Sequence, residues 1–315
     1  MTFVEKMSAA TVATLVGVAA GFLAFSVGGC KSKLASEKRA TSSVSSAIAR
    51  SSVKPLPTVS AAPIPKVEVK AAVNPTNLPV YSGPTGIVEG VVRITGDKPT
   101  DVPLQLPPAC MGAERTYGKI FREGDDRRVA DVLVAVTGYN GYVPQKGEKV
   151  EVQIERCAFS SRTIAMTFGQ RLEVQNIDAK TSYIPVLHGS KFTAYIVALP
   201  TGDPVRLYPH RVGQFRLADN MKRHWMSADV FALKYATHDV TDLDGKFRVE
   251  GIPVGEVKVS ALLPSIKAWA EKKVTVKEGE TTELELELNF DLKKYEAGVP
   301  SARPVSSVPQ APMVQ

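Results

Sequence analysis

The chain has 315 residues, of which 44% are hydrophobic and 23% are charged. This balance fits a folded protein of roughly one to three domains and excludes both a polytopic membrane protein and a wholly disordered chain. The net charge of +7 is uneven, because residues 31–82 contain eight Lys and Arg against two Asp and Glu. Residues 83–315 contain 30 basic and 29 acidic side chains. They therefore lack the positive field that nucleic-acid binding needs, and we expect no nucleic-acid partner.

The N-terminal residues predict an export signal. Lys6 precedes an apolar run, residues 8–27, which leads into Gly28-Gly29-Cys30. Small residues directly before a lone cysteine resemble the lipobox of bacterial lipoproteins. The resemblance implies that residues 1–29 are a removed signal peptide and that lipid on Cys30 anchors the chain to the inner or outer membrane of the cell envelope, with the folded part outside the cytoplasm. The alternative is an uncleaved anchor, since an apolar run of about 20 residues can also span a bilayer.

Residues 30–82 predict a disordered tether rich in Ser, Ala, Pro and Lys. Its prolines stand too close together for a helix or strand, and its composition cannot bury a core. We expect it to hold the folded part away from the bilayer, although its basic residues could also lie on anionic headgroups. Residues 293–315 repeat the composition and predict a disordered tail.

Between these tails, short β-rich runs separated by Gly, Pro, Asn and Asp predict an all-β protein built from Greek-key type β-sandwiches. The clearest pair is Lys273–Lys277 and Glu283–Leu288, which alternate strictly around Glu278-Gly279 and predict a hairpin with one buried face. The other predicted strands are Gly86–Ile94, Val129–Val136, Lys149–Ile154, Thr163–Phe168, Leu172–Val174, Phe192–Val197, Gly213–Leu217, Ser227–Leu233, Lys246–Val249 and Glu256–Ala261.

Two segments resemble parts of carboxypeptidase-regulatory-like (prealbumin-like) domains. Residues 240–259, with turns at Asp244-Gly245 and Pro253–Gly255, resemble the central hairpin of that module. Gly86–Val92 resembles its first strand. We place this β module at residues 236–292.

Residues 83–235 resemble the cupredoxin-like domain of exported bacterial proteins. The resemblance rests on Arg156-Cys157, on Asn176-Ile177-Asp178 and on His224-Trp225-Met226. In such domains a strand that ends in Asn-x-Asp leads to the first copper histidine, and a loop that ends in Trp-Met supplies the remaining ligands. The resemblance implies a second β-sandwich over these residues.

The chain departs from the copper-binding pattern of that family. A blue-copper site needs two imidazoles, one thiolate and usually a weak axial thioether. No cysteine stands in the loop before Trp225, and no histidine stands in Ala179–Tyr183. We therefore expect the blue-copper site to be lost. The alternative is a residual Cu(I) site formed by His188, His224 and Met226, and otherwise these are ordinary polar and core residues.

Cys110 and Cys157 remain once Cys30 is assigned to lipid. An even pair in an exported chain, with no Cys-x-x-Cys spacing for zinc, predicts a disulfide bond between them. Closure of such a loop stabilises a domain by roughly 3 to 4 kcal/mol. Free buried thiols are the alternative.

No catalytic motif stands out in the sequence. A Gly-x-Ser-x-Gly elbow, a phosphate-binding loop and a His-Glu-x-x-His motif are all absent, which predicts a protein that is not an enzyme and needs no cofactor. The leading hypothesis is a lipid-anchored β-sandwich lipoprotein with a structural role, or one that binds an envelope protein or polysaccharide. The alternative is a copper-binding or electron-transfer lipoprotein with a modified cupredoxin site. An envelope enzyme with an unrecognised site is the third hypothesis.

Overall fold

The computed structural model describes residues 61–190 and 193–298. The regular secondary structure of this part is mainly β-strand, which confirms the predicted all-β class. The strands in chain order are β1 (Thr85–Gly96), β2 (Leu133–Thr137), β3 (Lys149–Glu155), β4 (Ala158–Phe159), β5 (Thr163–Thr167), β6 (Arg171–Asn176), β7 (Pro185–His188), β8 (Val205–Leu207), β9 (Gly213–Asp219), β10 (Ser227–Leu233), β11 (His238–Val240), β12 (Lys246–Pro253), β13 (Gly255–Leu263), β14 (Ala268–Val276) and β15 (Thr281–Phe290). The helices are α1 (Lys66–Val73), α2 (Glu114–Tyr117) and α3 (Leu292–Gly298), with 3-10 turns at Pro108–Ala113 and Asp125–Arg127.

The first sandwich combines a three-stranded sheet, in the order β12-β1-β15, with a four-stranded sheet, in the order β11-β2-β13-β14. Both sheets contribute side chains to one buried apolar cluster. The strict alternation of β15 explains its place, because Leu284, Leu286 and Leu288 are buried while the glutamates between them are exposed.

The second sandwich contains the sheets β5-β10-β9-β7 and β4-β3-β6-β8. Its core is a separate buried cluster that includes Tyr183, Leu217 and Met226. In the second sheet β3 runs parallel to β6, with Ile154 opposite Asn176. Both strands therefore end at the same edge of the sandwich, and the loops that follow them lie side by side.

The two sandwiches are interleaved along the chain. Strand β1 pairs in parallel with β15 and antiparallel with β12, so the first sandwich contains residues from both sides of the second. The predicted boundary between residues 235 and 236 is therefore wrong, because the second sandwich is an insertion between β2 and β11. A side chain at Gly90 would place its Cβ 1.7 Å from the Leu284 carbonyl oxygen, so this close approach of β1 to β15 requires glycine.

The predicted hairpin around Glu278-Gly279 is also wrong. Strand β14 pairs with β13, and β15 pairs with β1, so the two strands lie in opposite sheets of the first sandwich. Apolar and polar residues alternate in both strands because both strands line the same core from opposite sides. Strands β12 and β13, on either side of Val254, likewise lie in opposite sheets rather than in one hairpin.

The predicted strand Phe192–Val197 is not formed in its described part. Residues 193–197 have no ladder partner, and the bridge between Ala198 and Tyr183 begins only after them. Its apolar character therefore does not reflect a place in a sheet.

Residues 61–82 differ from the disordered tether predicted for residues 30–82, because they include α1. Pro65 and Pro75 bracket this helix and do not interrupt it. Val69 packs against Gly169, in the turn between β5 and β6. In the predicted tail, residues 293–298 belong to α3.

The predicted lipidation site Cys30 and the signal peptide lie outside the described residues. In residues 61–190 and 193–298, no helix has both the length and the apolar character needed to cross a bilayer.

Candidate functional site

The structure does not bring together the three residues predicted for a residual copper site. His188 ends β7 and stands opposite Arg216, whereas the Met226 carbonyl oxygen accepts a hydrogen bond from the Asp219 backbone N–H at 3.2 Å. Arg216 and Asp219 are three residues apart on β9, which separates the levels of His188 and Met226 by about 10 Å along the strand. Met226 is buried in the core, and both histidines are exposed. His188 and Met226 are therefore too far apart to bind one metal ion together, and the predicted ligand set of His188, His224 and Met226 is not formed.

Four loops meet at one edge of the second sandwich, and we call this edge the loop end. It comprises residues 155–157, 177–184, 193–202 and 220–226. Hydrogen bonds hold the loops together: the Asn176 side-chain amide donates to the carbonyl oxygens of Thr181 and Ala198 at 2.8 and 2.9 Å. The Asn220 N–H donates to the Ile184 carbonyl oxygen at 3.0 Å.

Tyr183 stands in the segment where the cupredoxin resemblance places the first imidazole. It is fully buried, and its hydroxyl donates to the Asp178 carboxylate. The same hydroxyl accepts a hydrogen bond from the Cys157 backbone N–H at 3.0 Å. Burial, together with the hydrogen bond to Asp178, raises the pKa of the Tyr183 phenol, so the phenol stays protonated at neutral pH.

Cys157, the only cysteine at the loop end, forms a disulfide bond with Cys110, with their Cα atoms 5.1 Å apart. Its carbonyl oxygen accepts a hydrogen bond from the Trp225 indole N–H at 3.2 Å. Trp225, in the loop that the cupredoxin resemblance equates with the copper-ligand loop, is therefore fixed to the disulfide-bonded segment. The disulfide bond also ties the 3-10 turn Pro108–Ala113, which contains Cys110, to this edge.

Asp219 and Arg223 form a second buried pair at the loop end. The Arg223 guanidinium donates to the Asp219 carboxylate at 2.7 Å and lies 4.5 Å from the centre of the Tyr183 ring. Asp219 also accepts hydrogen bonds from the backbone N–H groups of Ile184 and Met221, at 2.8 and 3.3 Å. Its charge is thereby compensated without a metal.

The side chains present at this edge do not fit a blue-copper ion. A thiolate is not available, since Cys157 is bonded to Cys110. Tyr183 and Asp178 satisfy each other. Within the described residues, no group of three or more His, Cys, Asp or Glu side chains has an arrangement that could hold a metal ion. The arrangement is suited to holding loops in place.

A buried polar cluster that the sequence analysis did not single out joins the two sandwiches. Asp131, just before β2, accepts hydrogen bonds from the Arg122 guanidinium at 2.7 and 2.5 Å and from the Arg162 backbone N–H at 2.9 Å. The Arg162 guanidinium donates to the carbonyl oxygens of Lys119 and Ile120 at 2.8 and 3.0 Å. A cavity of about 240 Å³ lies beside the cluster. The contacts fix one sandwich against the other.

Among the other histidines, His238 on β11 has an unusual environment. Its Nε2 lies 3.2 Å from the Thr167 hydroxyl oxygen, so this contact also joins the two sandwiches. Burial, with a smaller effect of the Lys146 charge, lowers the pKa of His238 to about 4. The imidazole is therefore neutral at neutral pH.

No protein-family model matches this chain, and no curated protein matches it. Among solved structures, amicyanin from Paracoccus versutus is 13% identical, and the match covers 31% of this chain and 96% of that chain with a TM-score of 0.25. Auracyanin from Roseiflexus castenholzii is 12% identical over 27% of this chain and 97% of that chain, with a TM-score of 0.24. Auracyanin A from Chloroflexus aurantiacus, described as a blue copper protein, is 13% identical over 27% of this chain and 97% of that chain, with a TM-score of 0.23.

Proposed function

We propose that this chain is a non-catalytic, lipid-anchored protein of the bacterial cell envelope, with a structural or partner-binding role. The anchor is lipid on Cys30, and the folded part lies outside the cytoplasm. The expected partner is an envelope protein or polysaccharide. A nucleic acid is a poor fit, because basic and acidic side chains are nearly equal in number over residues 83–315.

The observation that carries the proposal is the state of the loop end. The buried groups there that could perform chemistry are used to hold the loops: Cys157 in a disulfide bond, Tyr183 against Asp178, and Arg223 against Asp219. A nucleophile or general base needs a free lone pair that faces a substrate. These side chains instead face one another.

In this proposal the first sandwich is a carboxypeptidase-regulatory-like (prealbumin-like) module. Its support is that the two resembling segments, Gly86–Val92 and residues 240–259, lie in the same sandwich, where β1 pairs with β12. The second sandwich is a cupredoxin-like domain whose metal-binding function has been replaced by the contacts around Tyr183.

The anchor is tested by intact-mass analysis of the protein extracted from membranes. The expected chain begins at Cys30 and carries added acyl mass, and a Cys30→Ser variant is either released or left with its signal uncut. A chain that begins at an unmodified Met1 would overturn the lipid anchor.

A further inference from the structure

The loop end carries a cluster of exposed apolar side chains. Six large apolar residues there are at least 37% exposed, with Tyr195 at 61% and Leu199 at 59%. The six are Ile177, Tyr195, Ile196, Val197, Leu199 and Met221. Isolated exposed apolar residues are ordinary, but six on three hydrogen-bonded loops are typical of a binding surface.

The central part of this surface is the segment Tyr195–Leu199. It is rich in β-branched and aromatic residues, yet it pairs with no strand, and Ala198 alone in it is buried. Hydrogen bonds between the backbones of Ala198 and Tyr183, at 2.8 and 3.1 Å, fix the segment to the core. The network around Tyr183 therefore supports a loop whose other side chains point outward.

The charged side chains at the loop end differ in their exposure to solvent. The carboxylates of Asp178 and Asp219 turn inward and are bonded. Lys180, Lys222 and Arg156 are exposed. Two carboxylates also reach solvent: Glu155, at 3.7 Å from Arg156, and Asp203. The exposed charges at the loop end are thus three cations against two carboxylates, and Lys180 and Lys222 are the cations without a carboxylate beside them in an ion pair.

We propose that the loop end docks onto an anionic lipid surface, with Tyr195 and its aliphatic neighbours among the headgroups and Lys180 and Lys222 on lipid phosphates. Tyrosine favours the membrane interface because its ring is apolar and its hydroxyl is polar. Each lysine near an anionic surface adds up to about fivefold in affinity, and the effect weakens as salt rises. The docking extends the proposed function, and it rests on that function only in that the anchor holds the folded part near a bilayer.

The tether is long enough to permit this orientation. Its described part packs through α1 against Gly169, at the start of β6, whereas the loop end follows Asn176 at the other end of that strand. The six residues of β6 span about 20 Å. Thirty residues lie between Cys30 and residue 61, and an extended chain of that length reaches about 100 Å.

The test uses the mature chain from residue 30 to residue 315 with Cys30→Ser, so that lipid on the protein does not contribute. The probe is sedimentation with vesicles of equimolar phosphatidylcholine and phosphatidylglycerol, compared with vesicles of phosphatidylcholine alone. The tether is present in every variant, so its own attraction to anionic lipid is constant. We expect binding to the anionic vesicles, weakened by salt.

Two double variants locate the contact. Tyr195→Ser with Leu199→Ser is expected to weaken binding by about tenfold, since two exposed apolar side chains leave the interface. The matched control is Trp269→Ser with Leu243→Ser, two residues that are 71% and 63% exposed in the first sandwich and are expected to leave binding unchanged. Lys180→Glu with Lys222→Glu is expected to weaken binding similarly, whereas Lys267→Glu with Lys272→Glu is not. Circular dichroism melting checks that each variant folds.

Equal binding by the Tyr195/Leu199 variant and the parent chain would overturn the proposal, because the tether would then account for the binding. Absence of binding by the parent chain would also overturn it and would assign the exposed apolar cluster to a protein partner instead. Neither result alters the mass expected for acylated Cys30. An unmodified Met1 would conversely leave vesicle docking standing.

Discussion

The hydroxyl of Tyr183 accepts a hydrogen bond from the backbone N–H of Cys157 at 3.0 Å. These residues come from loops that follow two parallel strands, β6 and β3. The contact therefore joins two loops of the loop end, and the phenolic hydroxyl in turn donates a hydrogen bond to the Asp178 carboxylate.

Tyr183→Phe is expected to lower the free energy of unfolding by about 1 to 3 kcal/mol. The change leaves the Cys157 N–H buried without a partner, and an unsatisfied buried donor costs that amount. Urea unfolding measures the loss. Tyr195→Phe is the matched control, because its ring is exposed, and we expect a change below about 0.5 kcal/mol. Equal stability of the two variants would show that the buried hydroxyl does not hold the loops.

Reduction of the disulfide, or Cys110→Ala, is expected to lower the free energy of unfolding by about 3 kcal/mol, because the bond closes a loop with a sequence separation of 47 residues. Cys157→Ala and the double variant are expected to lose a similar amount, since each removes the same bond. Urea unfolding with and without reductant gives the values. Peptide mapping without reduction should recover the two cysteines linked, and their recovery as separately alkylated peptides would contradict the pairing.

Asp131→Asn is expected to destabilise the folded part by about 3 kcal/mol, because it removes one charge from a buried pair and leaves Arg122 uncompensated. Asparagine isolates the effect of charge, since Asp131 has a φ of 65° and asparagine also tolerates that region. Asp244→Asn, on an exposed turn, is the control and should change little. A loss no larger than that of the control would show that the cluster does not hold the sandwiches together.

Stability is expected to fall as the pH decreases from about 6.5 to about 4, in part because of His238. Its pKa is lower in the folded protein than in the unfolded chain, so the unfolded chain takes up the proton first in this range. The contribution present above the unfolded pKa is lost progressively on acidification, by about 3 kcal/mol in total. His238→Gln should reduce this pH dependence in urea unfolding. An unchanged pH dependence would contradict the assignment.

The sequence predicts the strands better than it predicts their partners. Alternation along β15 identifies its buried face, but opposite sheets that line one core produce the same alternation as a hairpin. The pairing of β1 with β15 joins segments nearly 200 residues apart, and no local signal encodes it. The β-rich segment Tyr195–Val197 resembles a strand because its residue types favour pleated structure, although they are exposed in a loop.

The sequence likewise predicts only part of the candidate site, because residue contacts that depend on strand pairing leave no local pattern. The disulfide partners could be predicted from the sequence, because Cys110 and Cys157 are the pair that remains once Cys30 is assigned to lipid. The separation of His188 from Met226 could not, because it depends on the antiparallel register of β7 with β9. Asp131 gave no sequence signal, since Arg122 reaches it across a local backbone bridge between Glu123 and Val129, and Arg162 reaches it only through the packing of two sandwiches.

The most direct test of the account is Cu(II) titration of the oxidised protein, followed by visible absorption. Contacts around Tyr183 and Cys157 hold the loops of this edge together. We therefore expect no strong thiolate-to-copper charge-transfer band, because the only cysteine at this edge is bonded to Cys110. A strong visible band of the blue-copper type, saturating at one copper per chain, would contradict both the disulfide and the metal-free loop end.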